Sequence, residues 1–231
     1  MQHKLVAFDI ETAPTTDEKV IKQLAERIKA PANYKDEEKI EQYKREKLVE
    51  KVKETALNPT FGRVVAFAVY DGEQTISRTI VDFDGSERKL LDALATALAN
   101  AYTTLSPKRG NFIVGHNIIG FDIPFVIRRG IINGSERVLK LVSSSLLPKP
   151  LEPAWRIEHV IDTMLAWGKP YARLKDIAGA LDLLDGAEDD MDGGDTLEAF
   201  LAGNIDLVRE HVENDVVISY RVAEKMMGVF W

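Results

Sequence analysis

Four acidic side chains and one imidazole stand in settings that could do chemistry. Asp9 and Glu11 lie two apart in Phe8-Asp9-Ile10-Glu11-Thr12, where a short apolar run rich in strand formers, Lys4–Ile10, ends. Residues two apart on a strand share a face, so both carboxylates point to one side if the strand extends that far. Asp122 follows Gly115-His116-Asn117-Ile118-Ile119-Gly120-Phe121, just past a strand and at a helix start. Asp215 lies inside the last helical stretch, Arg209–Tyr220, and His211 stands four residues before it, on the same helix face. Each acid alone has a plain structural explanation: a strand-end turn for Asp9, a helix cap for Asp122, a wet helix face for Asp215. There is no cysteine, and the four histidines (His3, His116, His159 and His211) are scattered. Disulfides, thiolate zinc sites, iron–sulfur clusters and cysteine nucleophiles are therefore excluded, and any metal would rest mainly on carboxylate oxygens.

The elements that must position these residues follow from pattern and punctuation. Gly62–Tyr70 and Thr75–Phe83 read as two strands joined by Asp71-Gly72-Glu73-Gln74, a hairpin signal. Glu87–Tyr102 is an amphipathic helix with Leu90, Leu91, Leu94 and Leu98 on one face. Asn111–Val114 is a buried strand, and a helix runs over Phe121–Arg129 with Pro124 in its first turn. Ile157–Ile161 is a further strand, and Leu174–Leu183, Thr196–Ala202 and Asn204–Met227 are helical, with a Gly-rich acidic loop over Gly186–Gly194. Asp17–Glu54 differs in texture, with 10 acidic and 11 basic residues and a break at Pro31. It predicts two charged, mostly exposed helices, about 18–29 and 36–56, as a solvated face, a flap near the site or a docking surface. The whole is an α/β or α+β plan with one mixed sheet.

Taken jointly, the three acidic segments resemble, in order and local sequence, the three motifs of the DEDD (DnaQ-like) 3′–5′ exonucleases of the ribonuclease H-like fold. The chain is most similar to predicted exonucleases related to the proofreading domain of family B DNA polymerases, a group that includes phage and prophage proteins. Phe61-Gly62-Arg63-Val64-Val65, Asp162-Thr163-Met164 and Leu174-Lys175-Asp176-Ile177-Ala178 carry the likeness over nearly the whole chain. The resemblance implies one exonuclease domain over residues 1–231, with the charged helices at about 17–56 as an insertion. It implies that Asp9, Glu11, Asp122 and Asp215 hold two divalent ions, Mg2+ or Mn2+, which activate water and stabilise the leaving 3′ oxygen. It further implies release of nucleoside 5′-monophosphates from the 3′ end of single-stranded or frayed DNA, in proofreading, repair or replication-associated trimming. A replication or repair protein is then a candidate partner.

His211 departs from that pattern. It has the spacing of the branch that carries Tyr four residues before the last Asp, and the chemistry of the branch that carries His. An imidazole accepts a proton from water at neutral pH where a phenol is mostly protonated, so His211 is expected to act as general base. Thr12 and Ala13 sit where relatives contact the terminal nucleotide, and Asn117 matches the residue that opens the second motif. Phe121 fits either a base-stacking platform or the core. Arg173 and Lys175 could meet a phosphate. His116 reads as structural, Asp162 as a satisfied strand-end acid, and Lys108-Arg109 and Arg128-Arg129 as surface charge. Gly228-Val229-Phe230-Trp231 fits core packing or a partner contact. An RNA exonuclease of the same fold and a non-catalytic nucleic-acid-binding module are the alternatives.

Composition constrains partners. A net charge of −7 excludes a strongly basic coat as the mode of nucleic-acid binding, though not a local groove. No stretch approaches the ~20 apolar residues of a membrane span. The N-terminus lacks a signal-peptide pattern, so a cytoplasmic location is expected.

Overall fold

Consecutive apolar residues, Leu5–Phe8, make β1 (Lys4–Ala13) a strand buried on both faces, and it runs three residues beyond the apolar stretch. The computed structural model describes residues 4–103, 111–149, 157–184, 191 and 193–230. The expected loop 186–194, Lys108-Arg109, His3 and the end of the chain's last apolar stretch lie wholly or partly outside the described residues. The chain divides into two compact units, one of Met1–Glu11 with Val64–Trp231, the other Thr12–Arg63.

In the larger unit, β2 (Arg63–Tyr70) and β3 (Thr75–Thr79) form the antiparallel hairpin, with Gly72 at φ +94° in its turn. The five-stranded sheet has the order β3-β2-β1-β4-β5, with β4 (Asn111–Gly115) and β5 (Val160–Asp162). The β1–β4 and β4–β5 pairs are parallel, with Ala7 opposite Val114 and Gly115 opposite Asp162. The carboxyl ends of these three strands therefore share one edge, the usual place for a site in an open α/β sheet. The result is an α/β fold whose central mixed sheet is flanked by helices.

The second strand of the hairpin stops at Thr79, four residues short of the expected end, and a 3-10 turn over Ile80–Phe83 follows. Asp82 causes the break: its Oδ2 accepts the Thr79 N–H at 2.7 Å, which curls the chain. In the smaller unit, α1 (Glu18–Arg27) and α2 (Glu37–Glu54) bury no residue, and Asp17 and Asp36 cap them by accepting N–H groups of Lys19 and Glu38. The exposed i,i+3 pairs of α2, Lys44–Glu41 and Lys51–Glu54, add little to stability.

Beyond β3 come α3 (Glu87–Thr103), α4 (Asp122–Asn133) and α5 (Glu136–Ser143), which pack on one another. Helix α4 runs past Arg129 because Gly130 is a packing residue there. A Cβ at Gly130 would lie 2.6 Å from Val138 Cγ1, so its absence admits α5. Gly134 at φ +65° ends α4 instead. After β5 come α6 (Thr163–Trp167), α7 (Leu174–Ala180), α8 (Gly193–Leu201) and α9 (Ile205–Phe230). One apolar cluster joins Leu5, Ala7, Val114 and Ile161 of the sheet to Val208, Val212 and Val216 of α9. No described helix is long and apolar enough to cross a membrane.

Glu87, at the start of α3, ties this unit together. Its Oε1 accepts from Val64 N and Arg129 Nε, both at 2.9 Å, and its Oε2 from Arg129 Nη2 at 2.6 Å and Asn133 Nδ2 at 3.0 Å. Strand β2, α3 and α4 thereby meet at one buried ion pair.

Candidate functional site

Leu5, Ala7, Asp9 and Glu11 alternate with Val6, Phe8 and Ile10, so the two acids extend the row of β1 that faces α9. Helix α9 presents His211 and Asp215 from successive turns of one face. The two rows meet. His211 Nε2 lies 3.5 Å from Glu11 Oε1 and 3.7 Å from Asp215 Oδ2, with the imidazole only 3% exposed. Ser77 of β3 donates its hydroxyl to Glu213, two residues after His211 on α9. Nothing in the local sequence of either residue signals that contact, which spans most of the chain.

Asp122 comes to the same strand from the second motif. It is buried, and its Oδ1 accepts the Ile10 N–H at 3.2 Å, a bond that fixes the start of α4 against β1. Burial pushes its carboxyl up to about 8, with the Asp162 charge acting in the same direction and the N–H donors against it. Burial likewise holds Asp9 well above the ordinary carboxylate range, reinforced by the charges of Asp122, Glu11 and Asp215.

These two shifts set a pH dependence of stability. The folded value of Asp122 lies above its ordinary 3.8, so the stabilisation is fully present below that value and is lost as pH rises through about 8. Asp9 shifts the same way and acts with the same sign. Asp122→Asn keeps an oxygen for the Ile10 N–H but cannot ionise. Urea titrations from acid to alkaline pH should show the variant gaining on the wild type, by on the order of a few kcal/mol at the alkaline end. Parallel pH curves for the two proteins contradict the burial argument.

The segment between β4 and α4 is held by Asp162, at the end of β5. Its Oδ1 accepts N–H groups of Asn117, Met164 and Leu165 at 3.1, 3.1 and 3.2 Å, and its Oδ2 accepts Ile119 N at 3.0 Å. Asn117 takes φ +57°, a conformation that Asn tolerates, and a Cβ at Gly120 would lie 2.4 Å from its Oδ1. His116 Nδ1 sits 2.9 Å from Thr163 Oγ1, and burial lowers its pKa, so its place is structural. Asp162→Ala strands four donors and should cost about 2–4 kcal/mol in chemical denaturation. A loss near zero contradicts the role of Asp162 as anchor of this turn.

The remaining expected contacts are distributed unevenly. Phe121 is half-buried, its ring 5.3 Å from that of Phe125. Lys175, on α7, donates to the Met191 carbonyl at 2.5 Å, and Arg173 pairs with Asp176 at 3.5 Å. Both cations are thus engaged within the protein. Thr12 is half-buried and Ala13 fully buried, and both belong to the smaller unit.

The expectation of two divalent metal ions is corrected by this arrangement. Among the described residues, no group of three or more His, Asp or Glu side chains is placed to hold a metal ion. Asp9, Glu11, Asp122 and Asp215 therefore do not fit Mg2+ or Mn2+, and the metal-binding and two-metal descriptions fall with them. The geometric part of the reason is Asp122, whose Oδ1 is given to the Ile10 N–H where β1 meets the start of α4. No protein-family model matches the chain, and no curated protein matches it.

Proposed function

We propose that the chain is a hydrolase that removes nucleotides from the 3′ end of single-stranded DNA, on a fold we read as ribonuclease H-like. The observation that carries this reading is His211 set between Glu11 and Asp215 beside the carboxyl end of β1. The order of the three acidic motifs along the chain supports it.

In this reading His211 takes a proton from water, and the water oxygen attacks phosphorus. The bond from phosphorus to the 3′ oxygen breaks, that oxygen takes a proton from solvent water to end as a hydroxyl, and His211 returns its own proton to solvent. The products are a nucleoside 5′-monophosphate and a strand one nucleotide shorter. Glu11 and Asp215 lie 3.5 and 3.7 Å from Nε2, where their negative charge would balance the proton that His211 takes up. The turn held by Asp162 sets Asn117 and Phe121 at the entrance to α4, where they would meet the terminal nucleotide.

Digestion of single-stranded DNA and RNA of one sequence, side by side, tests the substrate. The expected result is DNA shortened faster than RNA. Faster loss of RNA moves the assignment to an RNA exonuclease, and loss of neither removes the enzymatic reading.

A further inference from the structure

Away from this site, a groove runs between β3 and α3, with a cavity of about 460 Å³. Its floor is apolar, made by Phe67, Ile76, Phe83, Ala93 and Ala97. Its rim carries Arg78, Lys89 and Arg137, all exposed. Among the described residues none of these three cations stands in an ion pair. Arg78 Nη1 donates to the Ser77 carbonyl and Arg137 Nη1 to Thr96 Oγ1, both neutral acceptors. The one carboxylate in the lining, Asp92, accepts the Ser135 hydroxyl at 2.6 Å. A second cavity of about 510 Å³ continues the groove between α3 and α5 and adds Lys140 and Glu136. On a chain of net charge −7, the lining of the two cavities carries four cations, Arg78, Lys89, Arg137 and Lys140, against two carboxylates, Asp92 and Glu136, a local excess of positive charge around an apolar hollow.

We propose that this groove is a docking site for an extended acidic peptide segment of a partner protein, with one large apolar side chain seated in the cavity and carboxylates over Arg78, Lys89 and Arg137. Charge complementarity selects the acid, and the apolar floor selects the anchor. The sheet edge favours a peptide over a nucleic acid. β3 is the outermost strand, and among the described residues no strand lies beyond it, so its outer backbone groups can pair with an added strand. Single-stranded nucleic acid is gripped by exposed aromatic faces, whereas of the two rings in this lining Phe67 is fully buried and Phe83 is half-buried. The proposal stands apart from the hydrolytic reading, since no residue of the groove belongs to that site.

The test uses the full chain and a fluorescent peptide of about ten residues, aspartates flanking a phenylalanine and an isoleucine. Saturable binding is expected, weakened by salt and lost when serines replace the two apolar residues. Arg78→Glu and Lys89→Glu should each weaken it about tenfold while hydrolysis of DNA stays at the wild-type rate. If a charge reversal disturbs the circular dichroism spectrum, Arg78→Gln and Lys89→Gln replace it, with a smaller loss expected. Equal affinity for the serine peptide, or affinity indifferent to the rim substitutions, overturns the proposal. An oligothymidylate that binds in place of the peptide and shows the same rim dependence overturns it in favour of nucleic acid.

Discussion

His211→Gln should lower the rate of 3′-end hydrolysis by about 10²–10⁴-fold, the usual worth of a positioned general base. The substitution keeps a polar group of similar reach on the α9 face, so the fold should survive and the loss should report chemistry. The geometry behind it is specific: Nε2 is 3.5 Å from Glu11 and 3.7 Å from Asp215, and the ring is buried. Asp215→Asn should cost less than His211→Gln, because it removes one balancing charge and keeps the imidazole. Residues that act as one unit are not additive, so the double variant should be barely slower than His211→Gln alone. Single-turnover rates on labelled single-stranded DNA give the comparison. A His211→Gln enzyme at wild-type speed removes the imidazole from the mechanism.

Arg129→Met should destabilise the protein by about 3–5 kcal/mol, because it leaves the Glu87 carboxylate buried without its charged partner. Glu87 would keep Val64 N and Asn133 Nδ2, but those two neutral donors cannot replace a two-pronged guanidinium. The side chains of Arg129 and Glu87 are 10% and 8% exposed, so solvent offers little compensation. Glu87→Gln combined with Arg129→Met should recover much of the loss, since no charge then remains buried. Urea titrations of the four proteins give the coupling directly. If the double variant is as unstable as the two single losses summed, the ion pair is not the unit that holds β2, α3 and α4.

Much of the fold was legible where the pattern was local. The apolar run into Asp9, the Asp-Gly hairpin, the leucine face of α3 and the charged texture of α1 and α2 each state their own element. What escaped was set by contacts between distant segments. β3 ends early because Asp82 turns back on Thr79, and Arg209 of α9 holds Asp82 in place at 3.1 Å. α4 passes through Gly130 because α5 needs the space, and α5 itself, short and capped by Ser135, carries no pattern long enough to stand out.

The candidate site shows the same division. Spacing alone puts Asp9 with Glu11 and His211 with Asp215. That the two pairs meet is a property of the sheet order and of the packing of α9. The metal expectation took the four carboxylates as brought together and all charged. Burial of Asp9 and Asp122 changes that count, and no sequence pattern reports burial at this level. The net charge of −7 is reread accordingly: the segment 17–54 carries +1, the remainder −8, and two of the site's acids are held toward neutrality.

The central claim is that Glu11, His211 and Asp215 act together on the 3′-terminal phosphodiester. A time course on 5′-labelled single-stranded DNA, with wild-type and His211→Gln protein purified in parallel, tests it most directly. The account predicts a ladder shortening one nucleotide at a time from the 3′ end, with nucleoside 5′-monophosphate as product, and a ladder that all but vanishes in the variant. Internal cuts, an intact strand with the wild type, or the same ladder at the same rate with the variant would contradict it.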